Sequence, residues 1–122
     1  MVEVTFKVPI YKTKVKLVVC DDINKYAKEN NIDSTGVNYY AIVYEFYDYP
    51  NVPFDIIVLL PTDVKSNTIV HEAFHIAVAI LRKIGCNLTE SSEEAYAYLN
   101  EWLYTKIVKT ILEESSKQKQ EE

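Results

Sequence analysis

The sequence is poor in the residues that build disulfide frameworks and metal clusters, with only two cysteines and two histidines among 122 residues. Cys20 and Cys86 stand far apart, in neither a metal-ligand nor a redox spacing, which is typical of a protein kept in a reducing compartment. A disulfide between them stays open as an alternative. Because there is no third histidine, any metal site built on the two imidazoles must recruit a different third ligand.

Long apolar runs and basic clusters are also missing. The longest apolar runs, such as 56–60, are far shorter than the ~20 residues that a membrane-spanning helix needs. The segment 2–8 alternates apolar and polar residues, which is not the pattern of a secretion signal. The net charge is −5 and the lysines are spread along the chain, so no basic stripe could hold a nucleic-acid backbone. We expect a soluble, cytoplasmic protein with neither a nucleic-acid nor a membrane partner.

Both histidines belong to one motif, His-Glu-x-x-His, at 71–75. On an α-helix each residue advances about 100°, so His71 and His75 share a face one turn apart and can hold one metal ion, with Glu72 beside them. Two imidazole ligands and a carboxylate are the parts of a catalytic zinc site. The alternative is an amphipathic helix whose two histidines share a face by coincidence.

Alternating patterns predict four strands in two antiparallel hairpins. The first hairpin pairs 2–8 with 15–19, in which valine, leucine and phenylalanine alternate with charged residues. The second pairs 37–47 with 54–60, and the continuous apolar run of 54–60 is typical of a central strand covered on both faces. Most of the tyrosines in this region are expected to serve packing between strands.

Capping residues place the first two helices. Asp21 or Asp22 can begin a short helix, with Gly36 after its end. The motif helix is expected to have Ser66 or Asn67 as its N-cap and to stop at Gly85. Because this helix carries apolar residues on most of its surface, we expect it to be largely buried, and its histidines with it.

A second long helix is predicted from about Ser92 to Glu114, followed by a charged tail at 115–122 without apolar residues, which we expect to be disordered. The sequence therefore predicts an α+β fold. A small, mostly antiparallel sheet of about four strands packs on the motif helix and on a long C-terminal helix, in a single catalytic domain at 1–114.

The third metal ligand must be a carboxylate, and the start of the second long helix offers Glu90, Glu93 and Glu94. A helical wheel with a packing face centred near Ala95 and Leu99 brings Glu94 closest to that face, by a small margin over Glu93. Glu94 is therefore our predicted ligand. The alternative is that Ser91 and Glu94 form only a capping box at the start of the helix.

With these residues in hand, the chain resembles the gluzincins, the HExxH zinc peptidases whose third ligand is a glutamate on a following helix. The motif at 71–75 followed by Glu-Glu-Ala-Tyr-Ala-Tyr-Leu at 93–99 is most similar to small zinc peptidases encoded by phages and prophages. The resemblance covers about 37–110 and implies a minimal zincin core. It implies that His71, His75 and Glu94 bind Zn²⁺ and that Glu72 is the general base.

The sequence departs from thermolysin-like enzymes four residues after the ligand glutamate. Those enzymes have an aspartate there that supports a ligand histidine, and this chain has Tyr98. Asp63, Glu90 or a backbone carbonyl would have to replace that support.

The expected function is hydrolysis of peptide bonds in a peptide or protein substrate, with Zn²⁺ as cofactor and Glu72 as the base. Tyr96 or Tyr98 could donate a hydrogen bond to the developing oxyanion, and an edge strand within 37–60 could hold an extended peptide. The alternative function is that of a phage-encoded regulatory or interaction protein whose zinc site is not catalytic. An intact Glu72 argues against that alternative, because metal binding alone does not require it.

Overall fold

The computed structural model describes residues 1–32, 39–47 and 49–121, and these form four strands and three helices. In chain order the elements are β1 (Val2–Lys7), β2 (Lys14–Cys20), α1 (Ile23–Glu29), β3 (Ile42–Glu45), β4 (Ile56–Pro61), α2 (Ser66–Lys83) and α3 (Glu93–Glu121). The α+β class and the number of strands are as the sequence predicts. Among the described helices, none has the length and apolar character to span a membrane.

The chain divides into two compact units, Met1–Val64 and Lys65–Glu122. The first unit contains the sheet and α1, and the second contains α2 and α3. All the residues that the sequence predicts as metal ligands or as the base lie in the second unit. The single domain over 1–114 stays a prediction.

The sheet has the strand order β1-β2-β4-β3. β1 pairs antiparallel with β2, and β3 pairs antiparallel with β4, so both predicted hairpin pairings are confirmed. The two pairs are joined by a parallel pairing of β2 with β4, which makes the sheet mixed. β4 is one of the two inner strands and all of its residues are buried, as its continuous apolar run predicts.

β3 is much shorter than the predicted strand at 37–47. Its paired residues run from Ile42, opposite Leu59, to Glu45, opposite Ile56, where β4 begins. Just beyond that point the Phe46 amide still donates to the Asp55 carbonyl at 2.7 Å, and the Phe46 ring packs at 5.0 Å from Tyr44 and 5.3 Å from Phe54. Positions 37 and 38 of the predicted strand, like Gly36, lie outside the described residues.

α1 covers one face of the sheet in the first unit. Its buried residues Ile23 and Ala27 pack with apolar side chains of β2, β3 and β4 in one core cluster. The helix begins after Asp22, whose Oδ1 accepts a hydrogen bond from the Lys25 amide at 3.0 Å. This confirms Asp22 as the cap of the predicted pair Asp21 and Asp22.

α2 begins at Ser66, so the prediction of Ser66 or Asn67 as its cap is wrong. The preceding Lys65 occupies the cap position without a side-chain hydrogen bond, and its carbonyl accepts from the amides of Thr68 and Ile69. The helix ends as predicted. Gly85 follows with a φ of +81°, a left-handed conformation that glycine adopts without a Cβ clash, and its amide donates to the Arg82 carbonyl.

α3 begins at Glu93, one residue after the predicted start, and continues to Glu121 rather than ending near Glu114. The segment 115–121, predicted as a disordered tail, is thus helical, although it lacks the apolar residues that would pack it. Lys117 bonds to Glu114 at 3.2 Å within this stretch, a three-residue spacing that supports a helical surface. The polar composition of 115–121 is therefore not sufficient to end the helix.

Candidate metal centre

The two motif histidines converge on a single point. One helical turn separates His71 and His75 on α2, and their Nε2 atoms lie 3.1 Å apart. In a tetrahedral zinc site with Zn–N bonds of about 2.0–2.1 Å, two ligand nitrogens lie about 3.3–3.4 Å apart. The same separation permits a hydrogen bond between the rings when one Nε2 carries a proton. Within a few tenths of an ångström, the pair is arranged as a shared metal ion requires.

Both histidines are exposed, so the prediction that they are buried is wrong. The buried side of α2 is formed by Ile69, Ala73, Ile76 and other residues on the opposite face. The predicted packing surface was too broad, because Val70 and Phe74 are 43% and 39% exposed. An exposed pair can receive an ion from solution and leave coordination positions open for water or substrate.

Glu72 differs from its two neighbours because it is buried, at 8% exposure. Burial raises the pKa of the Glu72 carboxyl above its ordinary value, and the positive charges of His75 and His71 act in the opposite direction. A raised pKa lies closer to neutral pH, and a general base is most effective when its pKa is near the pH at which it works. The motif therefore combines two exposed nitrogen ligands with one carboxyl of increased basicity.

The structure does not bring a third ligand to the histidines. Across residues 1–32, 39–47 and 49–121, no group of three or more His, Cys, Asp or Glu side chains is arranged to hold a metal. Glu94, the predicted ligand, is exposed near the start of α3, and so are Glu90 and Glu93. The structure thus assembles the two histidines, and the carboxylate ligand stays a prediction.

The orientation of α3 differs from the one that favoured Glu94. Its fully buried residues include Tyr96, Leu103 and Ile107, which centre the packing face about 60° away from the predicted centre at ~100° per residue. Relative to this observed face, Glu93 lies about 80° away and Glu94 about 180° away. The wheel argument is therefore wrong, because it gave Ala95 the central position although that residue is only half-buried. Glu93 lies at the edge of the packing face, and Glu94 lies opposite it.

The capping-box alternative for Glu94 also does not match the helix start. With Glu93 as the first helical residue, the cap position falls on Ser92 rather than Ser91. The Ser92 carbonyl accepts from the Tyr96 amide, and its hydroxyl accepts from the Thr89 amide at 2.8 Å and donates to the Asn87 carbonyl at 2.5 Å. These bonds fix the turn that leads into α3.

An open pocket of about 400 Å³ lies in the second unit, lined by residues of α2, of the loop that follows it and of α3. Phe74, which lies between the two histidines in the sequence, forms part of its wall. The other lining residues come from the loop after α2 and from the first two turns of α3: Leu88, Thr89, Glu93, Tyr96, Ala97 and Asn100. Of the three candidate ligands, Glu93 lines this pocket together with Phe74 of the motif.

The two tyrosines proposed as oxyanion donors are not placed for that role. The Tyr96 hydroxyl donates to the Cys86 carbonyl at 2.6 Å, which occupies its only proton, and the residue is 3% exposed. Tyr98 is 68% exposed on the side of α3 away from the packing face. Tyr96 therefore ties the loop to α3, and its ring serves as a wall of the pocket.

Sequence reasoning missed five of the seven pocket residues: Phe74, Leu88, Thr89, Ala97 and Asn100. Phe74 was assigned to the apolar packing surface, and a polar residue such as Asn100 within a helix gave no signal of its own. The spacing of Glu93, Tyr96, Ala97 and Asn100 is i, i+3, i+4, i+7, which places them along one side of a helix. That spacing was the signal available in the sequence.

Comparison of the chain with protein-family models, with curated proteins and with solved structures found no match.

Proposed function

We propose that this protein is a zinc-dependent metallopeptidase with a minimal zincin-like fold. The observation that carries the proposal is the convergence of the His71 and His75 Nε2 atoms to 3.1 Å on an exposed helix face, with the buried Glu72 between them in the sequence. A metal site with no catalytic purpose has no need of a buried carboxyl, which costs stability at neutral pH.

The donor set fits zinc, which binds imidazole nitrogen and carboxylate oxygen in tetrahedral sites. His71 and His75 would supply two ligands. For the third ligand we propose Glu93 in place of Glu94, because Glu93 lies at the edge of the packing face of α3 and lines the same pocket as Phe74. Glu94, which the gluzincin resemblance implies as the ligand, lies on the far side of that helix.

Zinc in this site would supply a Lewis acid that activates water and polarises the scissile carbonyl. The Glu72 carboxylate accepts the proton of that water and passes it to the leaving amine. Its burial favours this role, because a less solvated carboxylate is a stronger base. The exposed face of α2 leaves room for an extended peptide beside the two histidines.

The proposal is tested by incubating the zinc-loaded protein with a broad peptide library and identifying the products by mass spectrometry. We expect cleavage at peptide bonds, and a rate at least about 100-fold lower for Glu72→Gln with zinc content unchanged. Glu101→Gln is the matched control, since Glu101 is an exposed glutamate of α3 outside the pocket.

Two results would decide against the proposal. Equal cleavage rates for Glu72→Gln and the wild type would show that Glu72 is not the general base. A zinc-loaded wild-type protein that cleaves no member of the library would leave the alternative, a regulatory or interaction protein of phage origin with a non-catalytic zinc site.

A further inference from the structure

The connector between α2 and α3, residues 84–92, is fixed to the end of α2 by two backbone hydrogen bonds. The Gly85 amide donates to the Arg82 carbonyl at 3.0 Å, and the Cys86 amide donates to the Leu81 carbonyl at 2.9 Å. Together with the left-handed conformation of Gly85, these two bonds form a Schellman motif. The backbone of Cys86 is therefore held against the last turn of α2.

The same connector is held from the other side by side chains of α3 and its cap. The Tyr96 hydroxyl donates to the Cys86 carbonyl at 2.6 Å, and the hydroxyl of Ser92, the cap residue, donates to the Asn87 carbonyl at 2.5 Å. Tyr96 is only 3% exposed, and a hydrogen bond shielded from water is electrostatically stronger than an exposed one. Cys86 thus links the two helices, through its amide to α2 and through its carbonyl to α3.

Glu93 lies on the turn of α3 that this link holds. It precedes Tyr96 by three residues, a spacing that makes two side chains neighbours on the surface of a helix. Both residues line the pocket to which Phe74 of the motif also contributes. The hydrogen bond of Tyr96 therefore helps to determine where Glu93 stands relative to α2, the helix that carries His71 and His75.

We propose that Tyr96 is a positioning residue for the third metal ligand. Its bond to the Cys86 carbonyl holds the first turn of α3 against the end of α2, so that the Glu93 carboxylate is in place before the ion binds. A ligand that is already ordered loses less conformational freedom on binding, which increases affinity. The inference rests on the proposed function for the metal and for Glu93 as its ligand, and Tyr96 acts only through Glu93.

The test measures zinc affinity of the full-length protein by competition with a chromophoric chelator. Tyr96→Phe keeps the ring in the core and removes the hydroxyl, and we expect it to weaken zinc binding at least ~10-fold, as the loss of a residue that supports a ligand does. Tyr104→Phe is the matched control, since it removes a hydroxyl from a half-buried position of the same helix outside the connector. It should bind zinc as the wild type does.

A double-mutant cycle separates positioning from a general contribution to folding. In a Glu93→Gln background, Tyr96→Phe should change zinc affinity by less than ~2-fold, because the ligand that it positions is no longer there. A residue that only stabilises the fold would weaken binding by the same factor with and without the Glu93 carboxylate. Titration calorimetry gives the affinities of the weaker variants.

Three results would overturn the assignment: unchanged zinc affinity in Tyr96→Phe, an equal loss in both backgrounds, or wild-type affinity in Glu93→Gln. Each of them leaves the two histidines and the proposed function intact if the protein still binds zinc and cleaves peptides. A protein that shows the expected coupling between Tyr96 and Glu93 but cleaves no peptide retains the positioned metal site and loses only the peptidase. A wild-type protein that takes up no zinc would overturn both.

Discussion

At the scale of single residues, Glu72 is a carboxyl whose burial carries a cost for the fold. The residue is 8% exposed, and burial raises the pKa of its carboxyl. A group whose pKa is higher in the folded protein than in the unfolded chain binds more protons when folded, in the pH window between the two values. Stability therefore falls as pH rises through that window, and the full penalty is present at neutral pH.

The metal-free Glu72→Gln protein should consequently be more stable than the metal-free wild type at pH 7. Glutamine does not titrate, so it escapes the cost of burying a charge, and we expect a melting temperature higher by a few degrees. Below about pH 4 the wild-type carboxyl is protonated in both states and the difference should vanish.

Thermal unfolding in the presence of a chelator at both pH values measures this effect. Glu101→Gln serves as the control, because that exposed glutamate carries no burial cost. A loss of stability in Glu72→Gln at pH 7 would mean that the buried carboxylate contributes favourable interactions and is not a strained catalytic group.

At the scale of elements, the orientation of α3 determines which carboxylate can reach the histidines. Zinc affinity should fall by more than about tenfold in Glu93→Gln, since loss of a ligand costs at least as much as loss of a supporting partner. Glu94→Gln should bind zinc as the wild type does. A chromophoric chelator in competition with each purified variant gives the two affinities.

The opposite ranking, a loss of zinc affinity in Glu94→Gln with Glu93→Gln unaffected, would show that Glu94, the residue predicted from the sequence, is the third ligand. It would also require α3 to be rotated from the orientation in which Tyr96 and Leu103 are buried.

The packing of α3 has its own test in two leucines of the same helix. Leu103 is completely buried, so Leu103→Ala should lower the free energy of unfolding by about 2–5 kcal/mol through lost burial and a residual cavity. Leu112 is 63% exposed, and Leu112→Ala should change the free energy of unfolding by less than about 0.5 kcal/mol. Urea unfolding of both variants measures the difference, and similar losses at the two positions would show that the buried face is assigned incorrectly.

The elements show where sequence patterns suffice and where they do not. Alternation predicted both antiparallel pairs, because a strand with one covered face must place apolar residues at every second position. The length of β3 could not be predicted, since apolar and aromatic residues continue on both sides of the four residues, Ile42 to Glu45, that pair with β4. The prediction of which face of α3 is buried was wrong for a different reason. This helix carries apolar residues around much of its circumference, so its sequence alone leaves the centre of the packing face undetermined.

At the scale of the whole molecule, the His-Glu-x-x-His motif could be predicted in full because its geometry is local to one helix. The identity of the third ligand depends on how two helices pack. The pocket lined by Phe74 is formed by a loop and two helices together, and no local residue spacing encodes either arrangement. All of these residues belong to the unit 65–122. Metal binding should therefore stabilise that unit by drawing α2 and α3 together.

Zinc should raise the melting temperature of the protein, because it binds the folded state and the unfolded chain holds no preformed site. With free zinc at 100 times its dissociation constant, the gain is about 2.7 kcal/mol. Calorimetry of the wild type with zinc and with chelator measures the gain, and His75→Ala should abolish it. An equal shift in wild type and variant would assign the effect to zinc bound elsewhere.

Stoichiometric zinc binding tests the central claim most directly. The wild-type protein, stripped by a chelator, dialysed against metal-free buffer and titrated with zinc, should bind one Zn²⁺ per chain, and binding should be weakened at least about 100-fold by His71→Ala and by His75→Ala, since each removes one of the three protein ligands. A folded wild-type protein that takes up no zinc, or that binds it as tightly after either histidine is removed, would contradict the account.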